Sequence, residues 1–317
     1  MSRNCAPKAE AVVAASQPVT PWQGLSRREG FFKDGETDAL LTRIQDYVEA
    51  GVCVNLSGSA GLGKTTLALR VAEEIGRPVS FMTGNQWLTT SDFIGREVGQ
   101  TERSVKDNYV QSVVRTETES RADWKYAILA ISMRRGYTLV YDEFTRASPE
   151  ANSALLSVLE EGVLVVTNRA SDQSYIAAHP DFRIILTSNP HDYAGVKGVP
   201  DAMMDRVVTI ALDEPPLERL VGIVAARTGI DTETSARIGR MVQALRSPGM
   251  GREHAVSPLR TALLIGRIVA FRTQKARVSE KDLADIAHDV LTGRGIHAEA
   301  RQIESLLGTD QRLREAT

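Results

Sequence analysis

Residues 139–147 read LVYDEFTRA: three residues suited to a buried strand run straight into two adjacent carboxylates, Asp142 and Glu143. Two neighbouring negative charges at a strand end are costly unless something positive stands opposite them. Upstream, residues 58–65 read GSAGLGKT and fit the spacing G-x-x-x-x-G-K-[ST] in full. A short apolar run, 52–56, precedes this loop, and a helical pattern ended by Gly76 follows it. In that context the glycines let backbone N–H groups turn inward around phosphate oxygens, and the helix adds its positive N-terminus.

These residues assign one another roles. Lys64 would reach the β- and γ-phosphates of ATP, and the Thr65 hydroxyl would take a position on Mg²⁺. Asp142 would complete the magnesium shell, directly or through water. Glu143 points elsewhere along the strand end and can polarise a water in line with the γ-phosphate. The nucleotide-binding set is Gly58, Ser59, Ala60, Gly61, Leu62, Gly63, Lys64, Thr65 and Thr66.

Two further residues fit the same chemistry. In ILTSNP, Asn189 ends another apolar run, where an amide can orient the attacking water; an Asn before Pro is otherwise a turn residue. In MMDRVV, Arg206 stands immediately before the fifth apolar run. Presented to a neighbouring subunit it supplies a transition-state cation in trans; otherwise it is an arginine paired with Asp205 or a surface carboxylate.

The elements that must hold these residues follow from periodicity. Apolar runs at 52–56, 79–82, 137–141, 183–187 and 207–212 read as strands, with helical segments between most of them. Such alternation predicts an α/β fold with a parallel sheet covered on both faces. Helical spacing also marks 37–50. The segment 148–162 reads as one helix, with Ser148 at the N-cap, Pro149 in the first turn and Gly162 at the stop. Residues 163–167 and 175–178 can pair as a hairpin around a polar turn at 168–174. The segment 88–107 reads as irregular, either an insertion facing a substrate or ring neighbour or an ordinary surface loop. Beyond Pro215 strand signals stop, and 217–227, 232–246, 257–272 and 280–291 read as helices. The expected organisation is a flexible tail over 1–30, an α/β nucleotide-binding core over 31–213, an α-helical lid over 214–300 and a C-terminal tail over 301–317.

Composition narrows the function classes. Over 317 residues, 42% hydrophobic and 25% charged residues are ordinary for a globular chain, and the formal net charge is −2. That balance gives no field that recommends nucleic acid or a membrane surface as partner. No apolar run approaches the ~20 residues that span a bilayer, and the first thirty residues do not pattern as a signal peptide. Two cysteines, Cys5 and Cys53, build no disulfide framework, which suits a reducing cytoplasm.

Together these motifs resemble an AAA+ ATPase, and from about residue 30 to residue 300 they look like the MoxR branch. The segments RRGYTLVYDEFTRASPEANSALLSVLEEGVL and HPDFRIILTSNPHDYAGV, with the loop and its flanks, resemble the ATPases encoded in gas vesicle gene clusters. The resemblance implies a P-loop core of five parallel strands with a helical lid, assembled as a ring, usually a hexamer, with nucleotide at subunit boundaries. By match, residues 58–65 become Walker A, Asp142 and Glu143 Walker B, Asn189 sensor 1 and Arg206 the arginine finger. Arg260, in SPLR, stands for the lid's sensor-2 arginine, although related proteins tend to show Ser-Pro-Arg and Leu259 intervenes here. The resemblance further implies a cytoplasmic assembly factor for gas vesicles, at or near the vesicle surface, with shell or accessory proteins as partners. Alternatives that share the hydrolytic residues are a remodeller for Rubisco activation or metallocofactor insertion, and a nucleotide-gated scaffold with little hydrolysis. A DNA motor is a further alternative, and the sequence argues against it, with no basic stripe and no long basic arm.

Overall fold

The computed structural model describes residues 31–106, 116–166, 174–189, 201–245, 257–274, 278–294, 296 and 298–314. In chain order, α1 (Gly35–Glu49) leads into β1 (Cys53–Ser57), and α2 (Lys64–Glu74) into β2 (Val79–Thr83). A short helix, α3 (Thr90–Ile94), opens an antiparallel hairpin of β3 (Gly95–Lys106) and β4 (Thr116–Tyr126). Next come α4 (Ile128–Arg135), β5 (Thr138–Asp142), α5 (Pro149–Asn152) and α6 (Ala154–Glu161). A small hairpin, β6 (Val163–Val165) and β7 (Tyr175–Ala177), precedes β8 (Arg183–Ser188), α7 (Asp201–Met204) and β9 (Val207–Ala211). The remainder is helical: α8 (Leu217–Thr228), α9 (Thr232–Ala244), α10 (Pro258–Thr273), α11 (Glu280–Thr292) and α12 (Ala300–Arg314).

The central sheet has five strands in the order β2-β5-β8-β1-β9, and every neighbouring pair is parallel. Successive side chains of a strand point to opposite faces, and β5 shows the consequence. Leu139 and Tyr141 join one apolar layer with Phe93, Leu129 and Leu155, while Val140 joins the other with Ile44, Leu56 and Val71. Burial on both faces is why β1, β5 and β8 read as apolar runs; β9, at the sheet edge, buries Ile210 but leaves Val208, Thr209 and Ala211 exposed. A third cluster, including Leu220, Ile238, Ile265, Leu291 and Ile303, is the core of the helical region. All five strands run the same way, so the loops after β1, β5 and β8 emerge at one edge, where ligands of parallel sheets bind.

The structure departs from the sequence expectations in three places. Segment 88–107 is not irregular: it supplies α3 and the strand β3, whose pairing with β4 carries a register shift between Glu97 and Gln100. The helix expected over 148–162 is two helices that meet at Ser153. Just before the junction, the Asn152 side-chain amide accepts from the Tyr141 hydroxyl (3.0 Å) and donates to the Phe144 carbonyl (3.1 Å), tying the end of α5 to the segment that follows β5. Finally, the C-terminal tail expected over 301–317 is largely helix. α12 buries Ile303 and Leu307 in the lid cluster, and Arg237 Nε on α9 donates to the Leu307 carbonyl (2.8 Å). The small hairpin forms as expected; its turn lies outside the described residues.

Candidate nucleotide site

The loop between β1 and α2 is shaped by backbone first. Gly61 and Gly63 sit at φ +87° and +86°, a left-handed region that glycine adopts without strain. Gly58 lies so close to the following segment that a Cβ there would stand 2.6 Å from the Leu212 carbonyl oxygen. Gly63 caps α2 with no side-chain hydrogen bond, so no capping side chain occupies the first-turn N–H groups. Those donors and the positive helix end form a ready anion site. Lys64 is buried, and its Nζ donates to the carbonyls of Gly58 and Ser59, each at 2.8 Å. Its charge is thus held inside the loop.

The carboxylate side of the site is built by three chain segments. Asp142 Oδ1, at the end of β5, accepts from Thr65 Oγ1 (2.7 Å) and from Thr187 Oγ1 (2.5 Å). Thr187, on β8, in turn accepts from the Glu143 N–H (2.9 Å), so one hydroxyl ties both carboxylate residues to the neighbouring strand. Glu143 has φ +51° and is the non-glycine residue with positive φ among those described. Its Oε2 meets Arg146 Nη1 at 2.8 Å. Behind it, Gly84 donates its N–H to the Asp142 carbonyl (2.7 Å), and a Cβ on Gly84 would run into the Glu143 carbonyl.

A cleft of about 810 Å³ opens above these groups. Residues 60–66, Asp142, Glu143 and Asn189 line it from the sheet edge, and Arg260 lines it from the helical region. Gly58 and Ser59 stand behind, offering their carbonyls to Lys64. The lid's α10 is seated on the loop itself: Ser257 caps this helix by accepting the Arg260 N–H (3.3 Å), and a Cβ on Gly61 would lie 2.5 Å from Ser257 Oγ. Arg206 is elsewhere. It does not line the cleft, and its guanidinium pairs with Glu160 on α6 (2.8 Å) and with the Ala202 carbonyl (2.6 Å). The neighbouring Glu160 carboxylate raises its pKa.

Sequence reasoning brought the loop, Asp142, Glu143, Asn189 and Arg260 to one place. It missed Thr187 and Gly84. Thr187 lies two residues before Asn189 but reads as a plain strand residue; Gly84 reads as a turn glycine after β2.

The arrangement of a phosphate loop on β1, carboxylates on the adjacent-but-one strand and a helical lid defines an AAA+ P-loop ATPase. Residues 54–207 match the AAA domain of the dynein-related subfamily. A RuvB mutant of Thermotoga maritima has the same fold, with TM-score 0.50 and 18% identity over 84% of this chain and 72% of that one. The gas vesicle ATPase GvpN of Ancylobacter aquaticus is 38% identical over 277 residues, 86% of this chain and 77% of the relative. That of Haloferax mediterranei is 43% identical over 215 residues, 67% of this chain and 62% of the relative. The chain belongs to the gas vesicle ATPase GvpN family.

Proposed function

We propose that the protein hydrolyses ATP in the sheet-edge cleft and that this turnover drives the formation and growth of gas vesicles. The observation that supports the first half most directly is the 2.7 Å contact between Thr65 Oγ1 and Asp142 Oδ1, with Glu143 next in the chain. Two hard oxygen donors side by side suit a magnesium ion. Among the described residues no group of three or more His, Cys, Asp or Glu stands ready to hold a metal. Thr65 and Asp142 would therefore hold Mg²⁺ jointly with phosphate oxygens and water, as is usual for this ion. When bound, the ion neutralises charge on the β- and γ-phosphates.

The residues divide the work. Residues 58–66 cradle the phosphates, and Lys64 turns from the loop carbonyls to the β- and γ-oxygens. Glu143 takes a proton from a water that attacks the γ-phosphorus as the bond to the β–γ bridging oxygen breaks. Asn189 orients that water. Arg260 meets the phosphates from the lid, and Arg206 serves the nucleotide of a neighbouring subunit in a ring, which we take to be hexameric. Residues 31–213 act as the core; the lid begins at 214 and includes α12. The place of action is the cytoplasm, at or near the vesicle surface, on shell or accessory proteins. No helix among the described residues is long and apolar enough to cross a membrane. The gas vesicle role is supported by the similarity to the gas vesicle ATPases of Ancylobacter aquaticus and Haloferax mediterranei.

The test pairs two readouts. Purified Glu143→Gln protein should bind ATP yet release phosphate at background rate. In cells carrying the surrounding gene cluster, both deletion and Glu143→Gln should remove mature vesicles by electron microscopy and flotation. Normal vesicles in the deletion strain would overturn the gas vesicle role. Normal vesicles with Glu143→Gln alone would make the protein a nucleotide-bound scaffold.

A further inference from the structure

The lid brings more positive charge to the cleft than Arg260 alone. Arg260, Arg267 and Arg294 all line it, and among the described residues none of the three has an ion pair. Arg219, on the same cleft, shows the contrast: Asp34 (3.3 Å) and Glu36 (2.6 Å) neutralise it.

Arg294 is the most constrained of the three. It follows the end of α11, where its N–H donates to the Leu291 carbonyl (3.0 Å). Its Nη1 donates to Thr261 Oγ1 (3.1 Å), and Thr261 is fully buried and adjacent to Arg260 on α10. The guanidinium is thereby fastened beside Arg260, on the helix whose first turn rests on Gly61 of the phosphate loop. Burial and the Arg260 charge both lower the Arg294 pKa. Two guanidiniums held together without a carboxylate are unfavourable by themselves, and a phosphate oxyanion between them reverses the sign.

We propose that Arg294 is a second lid cation for the nucleotide, acting with Arg260 to favour the triphosphate over the diphosphate. The inference rests on the reading of the cleft as an ATP site. The loop amides and Lys64 come from the sheet edge and serve a diphosphate as well. The arginines come from the opposite wall, and their contribution grows with the charge that only the γ-phosphate adds.

The test uses full-length Glu143→Gln protein, so that ATP is not consumed, titrated with Mg·ATP and Mg·ADP by calorimetry. Adding Arg294→Ala should weaken ATP binding roughly tenfold, the size of one charge-assisted hydrogen bond. ADP binding should change less than about twofold, and Arg294→Lys, which keeps charge but not the fork, should lie between. Melting temperature without nucleotide guards against a merely structural role. Equal losses for ATP and ADP, with or without a lowered melting temperature, would overturn the inference, as would no loss for either. A parent protein that binds neither nucleotide would instead overturn the ATP-site reading, and this inference with it.

Discussion

Gly84 and Glu143 meet backbone to backbone across the ends of β2 and β5. Gly84 donates to the Asp142 carbonyl at 2.7 Å, and the space its Cβ would fill is taken by the Glu143 carbonyl. Glu143 is held at φ +51° in consequence, a conformation that costs a non-glycine residue about 1 kcal/mol. Its carboxylate lines the cleft with Asp142 and meets Arg146.

Gly84→Ala should therefore act on turnover rather than on binding. The added methyl pushes the Glu143 carbonyl, and if Glu143 is the general base proposed above, misplacing its carboxylate by about 1 Å can cost ~10²-fold in rate. Phosphate release should fall by that order, with ATP affinity kept within about threefold because the loop at 58–66 is untouched. Unaltered turnover would mean that the turn yields without moving Glu143.

Thr187 is the hinge of the carboxylate pair: it donates to Asp142 and accepts from the Glu143 N–H. Thr187→Val keeps the shape and removes both bonds. Since Thr187 is fully buried, the Glu143 N–H and one Asp142 lone pair lose a partner, costing about 1–3 kcal/mol of stability. Asp142 would also lose the contact that fixes its orientation toward Thr65. The apparent Mg²⁺ requirement of phosphate release should rise by roughly tenfold. An unchanged magnesium titration would leave Thr187 a purely structural residue.

What the sequence disclosed and what it hid follow one physical line. The phosphate loop is contiguous, so its glycine spacing and Lys64 carry their own geometry, and Asp142 with Glu143 needed only the strand before them. Strands β1, β5 and β8, buried on both faces, gave apolar runs. Thr187, Gly84 and Arg294 acquire meaning only when β8, β2 and α11 are laid beside their partners, which no local pattern announces. β3 and β4 were hidden because GREVGQTERSVK has no apolar alternation; their register is held by backbone bonds. α12 was legible in hindsight, since Ile303, Leu306 and Leu307 stand at helical spacing in an otherwise polar stretch.

Arg206 and Glu160 separate two roles for one arginine. Their 2.8 Å contact lies on the surface of the same chain, where such pairs contribute little. If Arg206 serves a neighbour's γ-phosphate, Arg206→Ala should cut turnover by about 10³-fold or more. Glu160→Ala, which frees the arginine, should leave turnover within about threefold. Equal losses in the two variants would make the ion pair itself the functional unit.

Asp34 joins the two halves of the cleft wall. It caps α1 by accepting the Thr37 N–H (2.7 Å) and pairs with Arg219 of α8 (3.3 Å). The Thr37 hydroxyl, the Thr37 N–H and the Arg219 charge hold its pKa below 3.8. A depressed carboxyl stabilises the fold fully above its unfolded pKa and loses that contribution as pH falls through the folded value. Asp34→Ala should cost about 1 kcal/mol at neutral pH, the usual worth of such a cap. The difference from wild type should shrink as pH falls through the folded value, down to the part that a protonated carboxyl, still able to accept the Thr37 N–H, retains. Denaturant midpoints across acid pH check the sign; a gap that widens on acidification would contradict it.

Ile303 tests whether the last helix belongs to the lid. It is fully buried in the cluster formed with Leu220, Ile238, Ile265 and Leu291, and Leu307 one turn on is nearly so. A flexible tail could lose this side chain at no cost. A packed helix could not: truncating a buried isoleucine to alanine removes its transfer free energy and leaves a cavity, together about 2–5 kcal/mol. Ile303→Ala should therefore lower the unfolding midpoint of the lid. Because α9 holds α12 through Arg237 and α10 packs on α9, the loosening should reach the helix that rests on Gly61. ATP affinity should then fall with lid stability, while removal of the exposed Glu304 side chain should move neither. Matching midpoints for wild type and Ile303→Ala would return residues 301–317 to the status of a tail.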